Sequence, residues 1–328
     1  MGHEVSSVDP WSGLEQYRRS FFWKGVRRIL GSVREADRAK HVRVLRERTA
    51  AEKPDIIIVL KGLLLGAGDV ENLKEIAPWV VNINHDDFFS ANPNNWSALQ
   101  RGAIPAYDYM FCTREINVTE VLSLNAKAEF FPFAYYPRIH GIETRAGGSQ
   151  DIKGHDVVFV GTWEKNRAEL LENLVQAVEA NYAVYGSQWS KLSRGSPLRP
   201  FVHDRELIGE EMARILGGSK IALGFLRKEN RDDYTQRTFE IPACGGVLLA
   251  ERTRRHLEWL EEGTEAEFFD SSDPAELTHK VRQLLGDSER RERIRRQGTA
   301  RVLSGNHTYQ DRLERLLELS VSGQRRRR

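Results

Sequence analysis

Cysteine is nearly absent from this chain, with 2 in 328 residues, Cys112 and Cys244, far apart and each inside an apolar segment. Such a pair excludes a disulfide scaffold and reads as two small apolar thiols in a reducing compartment. Long apolar runs are missing as well. The longest, residues 56–65, is broken by Lys61 and falls far short of the roughly 20 residues that a spanning helix requires. The opening MGHEVSSVDP has no basic n-region and no apolar h-region, so no secretory signal is read there and the cytoplasm is the expected location. In that setting the Asn-x-Ser/Thr sequences at Asn95, Asn117 and Asn306 carry no weight. Internal repeats, low-complexity tracts, Asp-x-Asp triplets and RNP, zinc-finger or helix-turn-helix patterns are all lacking. No nucleic-acid partner is therefore expected.

What is present is charge, unevenly spread. Lys and Arg number 49 against 47 Asp and Glu, a net of +2. Residues 280–328 hold 14 basic and 6 acidic side chains, a net of +8, which leaves −6 on the rest. A second basic block covers residues 18–48. Within it, residues 17–31 (YRRSFFWKGVRRILG) interleave Phe21, Phe22, Trp23, Val26, Ile29 and Leu30 with five cations. Two readings stay open. One is a peripheral contact with anionic lipid; the other is a domain helix packed on a sheet with its arginines turned outward. The oligomeric state is open too.

Short runs rich in Val, Ile and Phe alternate with longer helical patterns. The expected strands are 3–8, 56–60, 79–84, 108–112 and 129–133 in the first half, then 157–160, 182–185, 220–225, 247–250 and 266–270. Several are apolar throughout, as strands covered on both faces are. Between them lie patterns such as 167–180, with Leu170, Leu171, Leu174, Val175 and Val178 on one helical face. This alternation predicts an α/β protein of two doubly wound, Rossmann-like domains, residues 1–145 and 146–328. Residues 138–153 are polar, glycine-bearing and aperiodic, and read as the linker. Two such domains leave a cleft for a ligand. A Rossmann-like half opens with a buried strand and a Gly-rich turn, so the N-terminal domain is expected to lack its first βα unit. Near the end, Asp273-Pro274 opens one helix, and Thr308 with Asp311 resembles a capping box opening the final helix, 309–319. His307 is read as part of that capping region.

The most informative stretch is LGFLRKENRDDYTQRTFEIPACGGVLLA, residues 223–250. It reads as strand, polar loop, short helix, Gly245-Gly246 turn and strand. A helix N-terminus there presents N–H groups to an anion, with Lys228, Arg231 and Arg237 as added cations. Arg237 offers the bidentate fork that suits phosphate oxygens. Glu240, one turn further on, can accept hydrogen bonds from neighbouring hydroxyls such as those of a ribose. Gly245-Gly246 permits a close backbone approach.

Those residues resemble the C-terminal domain of the CgeB-like, spore-maturation-type glycosyltransferases, relatives of the GT-B enzymes. The likeness rests on Arg237-Thr-Phe-Glu240-Ile-Pro-Ala-Cys-Gly245-Gly246 and extends through Glu262-Gly263, Ser272–Leu277 and His307-Thr308-Tyr309. Upstream, Val158-Phe-Val-Gly161-Thr162 with Arg167 resembles the family's first strand and phosphate-facing turn, and residues 108–113 and 131–136 match its style. The resemblance implies a bacterial, cytoplasmic, GT-B-type enzyme that moves a sugar from a nucleotide-sugar donor to a polysaccharide, glycolipid or protein. It implies no metal and no other cofactor, and permits retention of configuration. By the same resemblance Glu240 takes the donor ribose. Gly161, Thr162, Arg167, Lys228, Arg231 and Arg237 lie by its phosphates, and Gly245-Gly246 forms a close-packing turn. The E-x7-E pair of the wider group has Asp232 in its first position here, near the reaction centre. His85, Asp86 and Asp87, just after a strand, are the candidates for a base or for acceptor contacts. The alternative is a non-catalytic nucleotide- or glycan-binding protein on the same scaffold.

Overall fold

The computed structural model describes residues 2–8, 31–92, 95–141 and 154–325. The chain divides into two units, Met1–Pro132 with Leu316–Arg328, and Phe133–Arg315. The division falls at Pro132, earlier than position 145, and the C-terminal residues return to the first unit.

In the first unit α1 (Gly31–Glu52) leads into β1 (Ile57–Leu60), α2 (Ala67–Lys74), β2 (Val80–Asn84), α3 (Ala98–Ala103), β3 (Tyr109–Cys112), α4 (Glu115–Leu122) and β4 (Ala128–Phe130). The strands pair in parallel in sequence order, β1-β2-β3-β4. Every residue of β2 is buried because both faces are covered. Val80 packs with Val70, Phe88, Ile104 and Cys112, while Val81 and Ile83 pack with Phe111, Phe131 and Leu316. That double cover is why the run reads as uniformly apolar. β4 stops short of the expected 133. Phe131 N still donates to Cys112 O at 2.8 Å, but Pro132 has no amide to extend the ladder. Residues 3–8, expected as a strand, form none; residues 2–7 are exposed. Residues 17–30 of the aromatic and basic segment lie outside the described residues.

The second unit begins with α5 (Pro137–His140), a single turn inside the expected linker. The rest of that stretch, from 142 to 153, lies outside the described residues. Residues 133–141 are part of this unit because they pack on it. Tyr135 pairs with Thr308, and the Phe133 ring meets Tyr234 edge-on at 5.6 Å. One turn is too short to show a helical period. Then follow β5 (Val157–Val160), α6 (Lys165–Ala177), β6 (Tyr182–Tyr185), α7 (Gly209–Gly218), β7 (Ile221–Gly224), α8 (Arg237–Ala243), β8 (Leu248–Glu251), α9 (Arg254–Trp259), β9 (Glu267–Phe269), α10 (Pro274–Gly286), α11 (Ser288–Ser304) and the start of α12 (Tyr309–Arg325), which from Leu316 on belongs to the first unit. All strands run parallel, in the order β6-β5-β7-β8-β9. The core is Phe159, Leu171, Leu174, Trp189, Leu223, Leu249 and Phe269 with their neighbours.

The expected helix starts hold. The Asp273 carboxylate accepts from the amides of Ala275 and Glu276, and Thr308 and Asp311 cap each other reciprocally. No helix among the described residues is long and apolar enough to cross a membrane.

Strand order fixes where a ligand can sit. The chain leaves β5 for β6 on one side and returns to β7 on the other. The loops after β5 and β7 therefore diverge at their carboxyl ends and open a crevice there.

Candidate functional site

Two groups of polar side chains occupy that end of the second unit. The first is centred on Arg237 and Glu240, which share one face of α8 a turn apart. Glu240 is 5% exposed. Arg237 Nη1 donates to Glu240 Oε2, and Arg237 Nε donates to the Val160 carbonyl at 3.3 Å. His140 brings Nε2 to 3.7 Å from Glu240 Oε1. Gln236 Nε2 donates to the Tyr309 hydroxyl at 3.5 Å. Burial and the Glu240 charge raise the pKa of Tyr309. Segments distant in sequence thus meet around one carboxylate. They do so because the bridge between Tyr135 and Thr308 ties 133–140 to the start of α12.

The second group gathers around Arg167, buried in the first turn of α6. Its Nη1 donates to Thr162 O at 3.1 Å and its Nη2 to Phe225 O at 3.3 Å, stapling the loops after β5 and β7 together. Burial lowers its pKa, with Glu164 opposing. Arg227 Nε donates to Glu164 Oε1 at 2.6 Å. Beside them a cavity of about 270 Å³ is lined by Asn166, Arg167, Leu226, Lys228, Glu251 and Ser271, among others. Arg237 and Glu240 are not among its lining residues.

The expected site residues thus divide. Arg167 and Lys228 share the cavity, and Lys228 is exposed in the turn Lys228–Asn230. Gly161 and Thr162 face the loop after β6. The Gly161 carbonyl accepts from Trp189 Nε1 at 2.9 Å, and the Thr162 hydroxyl lies 3.3 Å from Ser187 Oγ. Arg231 is exposed with φ of +49°. Asp232 Oδ2 accepts from the Arg227 amide at 3.2 Å and so shapes the turn.

One expectation needs correction. Three amides in the first turn of α8, those of Thr238, Phe239 and Glu240, are not free for an anion. Thr238 N donates to Thr235 O, and Phe239 N and Glu240 N both donate to Gln236 O. Gln236 is already helical, so the turn before the helix satisfies them. Gly245-Gly246 forms a tight packing turn. Gly245 has φ of +71°, and a Cβ on Gly246 would lie 2.9 Å from both Ile241 Cγ2 and Leu216 O. Gly246 closes the C-terminus of α8 against α7, where no room remains for a side chain.

In the first unit His85, Asp86 and Asp87 do follow β2. Asp87 is fully buried, accepting from Asn117 Nδ2 at 2.8 Å and from Phe89 N at 3.0 Å. Those bonds fasten the loop and close the carboxylate off from any substrate proton. Asp86 pairs with Lys61 at 2.6 Å. Burial lowers the pKa of His85, with Asp86 raising it and Arg114 lowering it further. An imidazole held neutral is able to accept a proton.

Sequence reasoning missed His140, Glu164, Arg227 and His256. His140 sat in a stretch without periodicity, and no sequence signal marks it. His256 is buried, with Nδ1 2.7 Å from Glu251 O and Nε2 2.9 Å from Thr238 Oγ1. It therefore ties α8 to the end of β8.

Two units of parallel α/β type, with charged side chains at the strand ends of one of them, define the GT-B fold. Solved structures agree. An α,α-trehalose-phosphate synthase (UDP-forming) from Burkholderia vietnamiensis superposes with a TM-score of 0.64 at 14% identity, over 89% of this chain and 78% of that one. An α,α-trehalose 6-phosphate synthase from Burkholderia multivorans gives 0.62 at 13%, over 88% and 75%. HepE from Anabaena, in complex with UDP and glucose, gives 0.60 at 12%, over 88% and 82%. At these identities the likeness is one of fold. Residues 166–318 match the family model described as glycosyl transferase-like. The matched span contains Arg167, Lys228, Arg237 and Glu240, and the class of enzyme is glycosyltransferase. A sequence search of curated proteins finds no match.

Proposed function

We propose that the protein transfers a sugar from a nucleotide-sugar donor to a glycan, glycolipid or protein acceptor in the cytoplasm, as a CgeB-like glycosyltransferase. The observation carrying this is Glu240. It is a buried carboxylate with an arginine at its shoulder, inside the span that matches the glycosyl transferase-like model. HepE from Anabaena is described with UDP and glucose, which supports a nucleotide-sugar donor here. In this reading Glu240 accepts from the donor ribose. Arg237, Arg167 and Lys228 neutralise the leaving diphosphate, the electrostatic term that dominates such transfers. No metal takes part in the proposal, and the sugar keeps its configuration. Asp87 is buried and Asp86 paired, so neither carboxylate serves as a base on the acceptor in this reading. His85 and Asp86 are proposed as acceptor contacts.

The test is a panel of UDP-, GDP- and ADP-sugars with release of nucleoside diphosphate as the readout. One donor should be turned over at an undiminished rate in excess EDTA. Loss of turnover on chelation would overturn the metal-free part. Tight binding without any product would leave the non-catalytic binding protein as the better description.

Glu240→Ala should weaken binding of the nucleoside diphosphate by about 1–3 kcal/mol, roughly five- to 150-fold, the range for charge-assisted hydrogen bonds. The value should fall toward the lower end, because Arg237 loses its carboxylate and becomes more available to phosphate. Isothermal titration of both proteins decides it, and an unchanged Kd would remove Glu240 from the ribose.

A further inference from the structure

The roles proposed for Arg237 and Glu240 conflict in one respect. In the structure the two side chains are bound to each other. An arginine that moves to a diphosphate leaves behind a carboxylate that is 5% exposed, and an unpaired charge so buried is costly. Something must hold Glu240 when Arg237 lets go.

His140 has the required chemistry. Its Nδ1 accepts from the Tyr136 amide at 3.1 Å, a bond made within the single turn of α5. With Nδ1 an acceptor, the neutral ring carries its hydrogen on Nε2. That Nε2 is buried and has no hydrogen-bond partner among the described residues, an expensive state for an N–H group. It faces Glu240 Oε1 at 3.7 Å, just beyond hydrogen-bonding distance, while Arg237 holds Oε2. Burial lowers the pKa of the ring, Glu240 raises it and Arg237 lowers it, so the neutral form is the one present at pH 7.

We infer that His140 is the positioning residue of Glu240, its Nε2–H taking over the carboxylate when Arg237 turns to the donor diphosphate. A rotation of Glu240 by a few tenths of an ångström at Oε1 closes the gap to His140. The carboxylate then keeps its orientation toward the ribose hydroxyls, and the guanidinium is released without leaving a bare charge. The imidazole N–H, which has no partner among the described residues, gains one in the handover, so the handover favours binding. The inference rests on the assignment of Glu240 to the ribose.

The test uses the full chain with UDP, GDP and ADP and their 2′-deoxy counterparts, taking forward the base that binds. Wild type should prefer the ribonucleotide. In His140→Ala that preference should shrink about tenfold through loss of ribonucleotide affinity alone, the deoxynucleotide binding as before. His140→Gln, whose amide N–H can reach Oε1, should restore most of the preference. An equal loss for both nucleotides in His140→Ala, or no loss for either, overturns the inference. Should the alanine variant fail to fold, the histidine N–H resonances of wild type decide. The His140 Nε2–H signal should move downfield on adding the nucleotide, and an unmoved signal overturns the proposal. Failure of the underlying reading looks different. There, wild type binds none of the diphosphates, or Glu240→Ala keeps the full preference for ribose.

Discussion

Glu267→Ala should cost the second unit about 3 kcal/mol of folding stability, at the lower end of the 3–5 kcal/mol typical for breaking a buried ion pair from one side. Glu267 lies on β9 with no side-chain exposure, and it serves two cations. Lys280 Nζ donates to Oε2 at 2.6 Å, and Arg290 Nε donates to Oε1 at 3.0 Å. The network continues outward. Lys280 reaches Glu262 at 3.0 Å, and Arg252 holds both Glu262 and Glu276 at 2.7 Å. The two carboxylates raise the pKa of Arg252, whose guanidinium lowers theirs. The loss stays at the lower end because Lys280 keeps Glu262, and Lys280 and Arg290 both retain water access, at 16% and 28% exposure. Urea unfolding of the two proteins measures the difference. A loss under about 1 kcal/mol would show that the pairs contribute no more than exposed ones do.

Mild acid should weaken the same unit. His256 is 1% exposed, and burial lowers its pKa to about 4. The unfolded chain, with a histidine pKa near 6.5, takes up a proton that the folded chain refuses. Stability is therefore complete above about pH 6.5 and falls as the pH drops toward 4. His256 alone accounts for about 3 kcal/mol across that window. His307, half-buried and stacked on Phe239 at 4.5 Å, is also lowered to about 4 and adds to the slope in the same direction. Glu262, Glu276 and Asp156 are held below their ordinary values by Arg252 and by hydrogen bonds from the Asn181 amide and Lys220, so they act at lower pH. Urea midpoints at pH 7.0, 6.0 and 5.0 check this, and a flat series would show that the buried imidazoles are protonated in the fold. In His256→Gln the slope should be shallower.

Both substitutions act through residues whose importance no local pattern announces. Glu267 and His256 read as ordinary polar positions in a helix-and-strand alternation. They become costly to alter only because β9 is covered on both faces and α9 packs its histidine against Phe268, at 5.2 Å between ring centres.

The alternation of apolar runs with amphipathic helices was sufficient to place nine strands within a residue or a few of their observed ends, since burial on both faces leaves its mark on each run by itself. It was also sufficient to single out the segment carrying Arg237 and Glu240, because α8 and its two flanking strands are contiguous in sequence. The expected strand at 3–8 is not formed, because a local run of residues does not by itself supply a burying partner, and 2–7 stay exposed. The tertiary structure alone decided that Arg237 meets Glu240 before it meets any phosphate, and that Asp87 faces inward. It alone set Gly246 against Leu216, and brought His140 across a long stretch of sequence to the same carboxylate. Composition and spacing record what each segment buries. Which polar atoms then find each other, and which stay unsatisfied, is settled only when distant segments close on one point in space.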